Sequence, residues 1–161
     1  MYNPKNKNKI VATIAIIIIL ATWAYYIFGN PPQNPPGSFE LLIADEAENV
    51  LYHETLDYKA NDKLYDVLKR EFDLTCANRA YDADPTCDTT FRFYDGNELV
   101  EGVVILGIRG DGFSVTSDWR NTYLAIEVFE NGSYRLSTKG VNSYQLEDGI
   151  KIRIMVTRVI G

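Results

Sequence analysis

The chain has 161 residues, room for one medium domain and an appendage, and its 46% hydrophobic and 24% charged content is ordinary for a folded protein. All 22 acidic residues follow residue 28, while three of the 16 basic ones precede residue 10, so 13 basic residues face 22 acidic ones beyond that point, about −9. That balance argues against nucleic acid or an anionic membrane surface as a partner.

Residues 1–9 form a basic tail with Lys5, Lys7 and Lys9. Residues 10–28, IVATIAIIIILATWAYYIF, are apolar or nearly so throughout. Nineteen residues at about 1.5 Å each span about 28 Å, close to the ~30 Å hydrocarbon core of a bilayer. A soluble helix of that length needs a polar face, and this one has none. The segment is therefore expected to be a transmembrane anchor with the lipid bilayer as its partner. Cations precede it, and the next one after it is Lys59. This asymmetry predicts a cytoplasmic N-terminus and an extracellular remainder, a single-pass protein of the cell membrane. Trp23, Tyr25 and Tyr26 lie at the outer end, where aromatic rings favour the interface. A cleaved signal peptide is the alternative, with Thr22 and Ala24 at the small-residue positions. Residues 29–38, GNPPQNPPGS, hold four prolines and predict an extended spacer that lifts the domain off the membrane.

The domain, 39–161, begins with FELLIAD, a short apolar strand, then a turn at ENV and a second strand, VLYHETLDYK. The two predict a hairpin. In NDKLYDVLKREFDL the period changes, with Leu64, Val67, Leu68 and Phe72 at helical spacing. Asn61 or Asp62 is expected to cap this helix, and Asp66 to pair with Arg70 on its exposed side. From residue 75 to 89 the chain is polar and reads as a loop. FRFYDGNELVEG predicts two short strands around an Asp-Gly turn. GVVILGIRG is an apolar strand with a glycine inside it, and GDGFSVTSDWRN reads as a loop. NTYLAIEVFENG is a long strand ending in an Asn-Gly turn, which favours positive φ and a tight hairpin. SYRLS returns, KGVNSYQLEDG crosses, and IKIRIMVTRV is the last strand. One helix cannot cover both faces of a sheet. The order predicts an α+β class, a β-grasp-like mixed sheet packed on one face by one helix.

Cys76 and Cys87 enclose ANRAYDADPT and lie on the oxidising side of the predicted topology. They are expected to form a disulfide, with two free thiols as the alternative.

Four stretches carry a resemblance: the helix entry YKANDKLYDVLK, the turn Asn131-Gly132 after a long strand, Lys139-Gly140-Val141, and SYQLEDG before the final strand. With these, 39–159 resembles the transcobalamin-like C-terminal β-grasp domain family, found as an uncharacterised surface domain in Gram-positive bacteria. The resemblance implies a β-grasp fold at the cell surface. In the animal cobalamin carriers it covers only the smaller domain, and the larger helical domain that completes their vitamin site has no counterpart here.

Motifs for catalysis are missing. His53 is the only histidine, which rules out a histidine metal cluster, and no G-x-S-x-G accompanies it. Asp82, Asp84 and Asp88 make a carboxylate-rich loop without EF-hand spacing. GIRGDG lacks the Lys-Ser/Thr of a phosphate-binding loop, and its Arg109-Gly110-Asp111 is most simply part of a turn. Neither an enzyme nor a cofactor or metal is expected. Phe113, Trp119, Tyr123, Tyr134 and Tyr144 lie in or beside predicted loops and are the candidate ligand contacts, since flat rings with polar tips suit planar ligands, sugars or partner proteins. Packing at the core edge is the other reading for Tyr123 and Tyr144, which flank strands. Trp119 is the best candidate, placed between Asp118 and Arg120 in a polar loop. Two functions stay open. One is a membrane-anchored extracellular binding module that captures a small cofactor-like ligand. The other is a surface protein–protein interaction or structural module with no small ligand.

Overall fold

The computed structural model describes residues 34–95 and 98–159, together with residues 16 and 19. The chain falls into two compact units, 1–33 and 34–161. The expected tail, 1–9, the expected anchor, 10–28, and the first half of the proline spacer lie outside the described residues, apart from the helical Ile16 and Ile19. Among the described residues no helix is long and apolar enough to cross a membrane.

Within 34–159 the order is β1 (Gly37–Ala44), β2 (Val50–Tyr58), α1 (Leu64–Glu71), β3 (Asp73–Ala77), β4 (Ala83–Asp84), β5 (Phe91–Asp95), β6 (Glu98–Gly102), β7 (Ile105–Gly110), β8 (Phe113–Thr116), β9 (Thr122–Glu130), β10 (Ser133–Leu136) and β11 (Lys151–Arg158). This is an α+β arrangement. A five-stranded mixed sheet has the order β10-β9-β11-β1-β2, a four-stranded sheet the order β4-β3-β7-β8, and β5 and β6 pair as a separate ribbon. The expected single sheet is thus divided, because β3, β7 and β8 pair with one another rather than with the strands around β1.

The five-stranded sheet is built on its first and last strands. β1 and β11 lie parallel and adjacent, with Leu41 opposite Ile152 and Ile43 opposite Ile154. Side chains alternate across a strand, so Phe39, Leu41 and Ile43 share one face with Ile152 and Ile154, and all five are buried. Leu64, Val67 and Leu68 of α1 join the same core cluster, as do Leu74, Ile108 and Val115 of the second sheet. Glu40, His53 and Lys151 lie on the opposite face, where Glu40 accepts from both partners at 2.7 Å.

Neither Asn61 nor Asp62 caps the helix. Lys63 holds the capping position, and its N–H donates to the Asp66 carboxylate at 2.9 Å. The free N–H groups of the first turn are satisfied from a distance. Leu64 N–H donates to the Tyr144 carbonyl and Tyr65 N–H to the Val141 carbonyl, at 3.1 and 3.2 Å. The crossing segment, 139–149, therefore does the work expected of a local side chain. With Asp66 so engaged, Arg70 pairs with Asp62 at 2.8 Å and Glu71 at 3.0 Å instead.

The middle of the chain is more ordered than its polarity suggests. Residues 75–77 belong to β3, which finds β7 some thirty residues on, with Leu74 opposite Ile108 and Thr75 opposite Gly107. Cys76 and Cys87 form a disulfide that pins the following loop to this strand. Phe113–Thr116 is likewise a strand, because the Asp111-Gly112 turn folds it back onto β7.

Leu41→Ala should cost about 2–5 kcal/mol in urea denaturation, since it empties a site between the two central strands. His53→Ala, on the exposed face of the same hairpin, should cost under about 1 kcal/mol.

Candidate functional site

A cavity of about 370 Å³ opens between β9, the β6–β7 corner and the segment that leaves β10. Tyr123 lines it from β9, Trp119 from the loop before β9, and Leu136 from the end of β10. Tyr94 stands at its β5–β6 side. Most of the wall is apolar. Its polar groups come from Ser137 to Ser143, where Lys139 has no ion pair among the described residues, and from Glu101, which is paired with Arg92 at 3.0 Å. Asn142 ties the walls together: its Oδ1 accepts from the Val103 N–H at 2.9 Å, linking the crossing segment to the β6–β7 corner.

Trp119 is held by its neighbour. The Asp118 carboxylate accepts from the backbone N–H groups of Arg120, Asn121 and Thr122 at 2.8–3.0 Å, and from the Asn121 side-chain amide at 2.6 Å. These bonds fold a tight loop in which Trp119 has φ 57°, an uncommon region for a bulky residue. The residue stays 38% exposed, an unusual position for a tryptophan. The same N–H donors, those of Asn121 and Thr122 foremost, hold the Asp118 carboxyl far below its ordinary 3.8.

Of the five aromatic residues expected from sequence to form contacts, this cavity gathers Trp119 and Tyr123. Phe113 is not in a loop. It starts β8 and packs against Tyr52 and Phe72, with ring centroids 5.3 and 5.8 Å apart. Tyr144 is buried beside the start of α1, and burial first, then Glu147 and Glu130, pushes its hydroxyl up to about 12. Tyr134 lies away from the cavity, with the Arg153 guanidinium 4.5 Å from its ring centre and Phe129 edge-on at 5.2 Å. Leu136 and Tyr94 are not legible as site residues in the sequence. Only the structure marks them, as large side chains at strand positions that stay 59% and 80% exposed.

Among the described residues no group of His, Cys, Asp and Glu is placed to hold a metal ion. Asp84 instead accepts from the Thr86 backbone N–H and hydroxyl, at 2.9 and 2.8 Å, and closes a turn. His53 meets Glu40 in the strand face already described. No protein-family model matches the chain, and no curated protein matches it.

Asp118→Ala should loosen the Trp119 loop and change the tryptophan emission while the melting curve keeps its cooperativity. The acid response has a definite sign. A carboxyl whose folded value is depressed stabilises the loop fully above its ordinary 3.8, and the effect is lost as pH falls through the lower folded value. Emission from Trp119 should therefore stay flat from neutrality to 3.8 and shift only below it.

Proposed function

We propose that the protein is a membrane-anchored extracellular binding module of the transcobalamin-like β-grasp kind. Its domain captures a small, largely apolar ligand in the cavity at Trp119. The observation that carries this reading is a concave apolar cavity with a conformationally held, part-exposed tryptophan at its edge. Its volume of about 370 Å³ lies within the range of small-molecule sites, which are mostly apolar with a few convergent polar groups. Lys139 and the Asn142 amide nitrogen would supply those groups here, since the Ser137 hydroxyl closes a turn with the Lys139 backbone. The β-grasp assignment is supported by a first hairpin, a following helix, and a last strand lying parallel beside the first. The apolar run at 10–28 and the prolines after it support the anchor and spacer.

A second reading keeps the anchor and replaces the ligand with a protein partner. It is favoured by Tyr94 and Leu99, which stand opposite each other across the β5–β6 ribbon and are both exposed.

Nile red, a neutral apolar dye that also enters lipid, should give the full chain in detergent-free nanodiscs a saturable signal above that of matched empty nanodiscs. Trp119→Ala should weaken that binding by at least about tenfold, the usual loss for a central aromatic contact, and leave the urea midpoint in place. A large drop in stability would instead make Trp119 a packing residue and end the ligand reading. Protease added to intact cells should remove the 39–161 domain if it lies outside the membrane.

A further inference from the structure

A second groove, of about 410 Å³, lies on the other sheet and differs in chemistry from the Trp119 cavity. Its floor is the outward face of β3, β7 and β8. Strand register sets two rows across these strands: Asp73, Arg109 and Ser114 in one, and Thr75, Gly107 and Thr116 in the other. Lys69 of α1 borders it on one side and the Pro85-Thr86 turn, pinned by the Cys76–Cys87 disulfide, on the other.

Three features of this groove suit it to a polar ligand. Asp73 and Arg109 are direct cross-strand partners, yet neither has an ion pair among the described residues, and the hydroxyls of Thr75, Ser114 and Thr116 make no hydrogen bond to a described residue. Two cations, Lys69 and Arg109, line the groove with one carboxylate, Asp73, so the lining is locally positive in a domain whose residues sum to about −9; the Lys69 ammonium lies 5.7 Å from the centre of the Tyr65 ring. At the centre of the grid stands a glycine. Gly107 does not have a positive φ, and a Cβ there would meet Thr116, Val115 and Thr75 atoms no closer than 3.4 Å. The backbone does not require glycine at this point, and a strand interior is weakened by it. Gly107 is itself buried between Thr75 and Thr116 at the bottom of the groove, and the missing side chain there keeps the floor low.

We propose that this face is a second binding site, which takes an oxyanion borne on a hydroxylated ligand, a sugar phosphate or a uronic sugar. Arg109 and Lys69 receive the anion. Asp73 accepts from ligand hydroxyls, the threonine and serine hydroxyls donate or accept, and Gly107 lets the sugar ring lie against the strand. No exposed aromatic ring among the described residues lines this groove, so polar contacts do the holding, in contrast to the Trp119 cavity.

Titration calorimetry of the full chain in nanodiscs, with a hexose phosphate, glucuronate, glucose and inorganic phosphate, tests this. Either anionic sugar should bind in the millimolar range or tighter, more tightly than glucose or inorganic phosphate, and weaken as salt is raised. A response to the phosphate ester alone identifies a phosphorylated ligand, and one to glucuronate alone a uronic one. Gly107→Val should abolish binding by filling the floor. Because a filled floor could also disturb packing, Arg109→Gln, an exposed change, should independently weaken it by at least about tenfold. Nile red binding at Trp119 should be unaffected by both variants. The proposal is overturned if neither anionic sugar binds at millimolar concentration, if both variants bind as the parent does, or if inorganic phosphate binds as tightly as the sugar.

Discussion

The parallel pairing of the first strand with the last is the constraint on which the domain depends. β1 and β11 come from opposite ends of 34–159, and their contact closes the whole domain. Such closure costs chain entropy that a few backbone hydrogen bonds cannot offset. The compensation is a dry seam: Leu41 and Ile43 meet Ile152 and Ile154, with almost no surface left to water. β2 and β9 then flank this pair as antiparallel neighbours, and α1 lays Leu64, Val67 and Leu68 into the same core. The segment leading into β11 also runs beside the start of α1. Its carbonyls accept the helix's free N–H groups, so sheet closure and helix capping are one structural event.

The division into two sheets places two chemically different surfaces on one domain. Where β9, the β6–β7 corner and the crossing segment meet, three elements cannot pack flush, and an apolar cavity results. The strands of the second sheet alternate buried Leu74, Ile108 and Val115 with polar Thr75, Arg109 and Ser114, which line the groove together with the Pro85-Thr86 turn. The tryptophan loop and the glycine at the centre of β7 mark the two surfaces in opposite ways. At Trp119 a large side chain is held out in an unusual backbone conformation by an ionised neighbour. At Gly107 an ordinary backbone conformation is left without a side chain.

Much of the fold is legible in the sequence because local pattern and burial agree. The apolar run in FELLIAD and the alternation in IKIRIMVTRV mark strands, and the spacing of Leu64, Val67 and Leu68 marks a helix. Asn131 and Gly132 take positive φ, 52° and 84°, as their dipeptide predicts. Elements whose partners are remote do not announce themselves in this way. β3 and β8 are short and half polar, and nothing within a few residues of them points to β7. The expected helix cap fails for the same reason, since the Tyr144 and Val141 carbonyls lie some eighty residues away in sequence. Of the candidate site, Trp119 stands out as a lone indole in a polar loop, whereas Leu136 resembles any other strand leucine.

The sequence by itself determined the periodic elements, the tight turns, the acidic balance beyond residue 28 and the apolar run before it, because each depends on residues close together along the chain. Only the tertiary structure decided what the aromatic residues do. Phe113 and Tyr144 are packing residues, Tyr134 stacks under Arg153, and Tyr123 joins Trp119 at a cavity. A ring beside a turn has the same local sequence whether the space above it is filled or open. Which of the two holds is set by strands and segments that arrive from elsewhere in the chain.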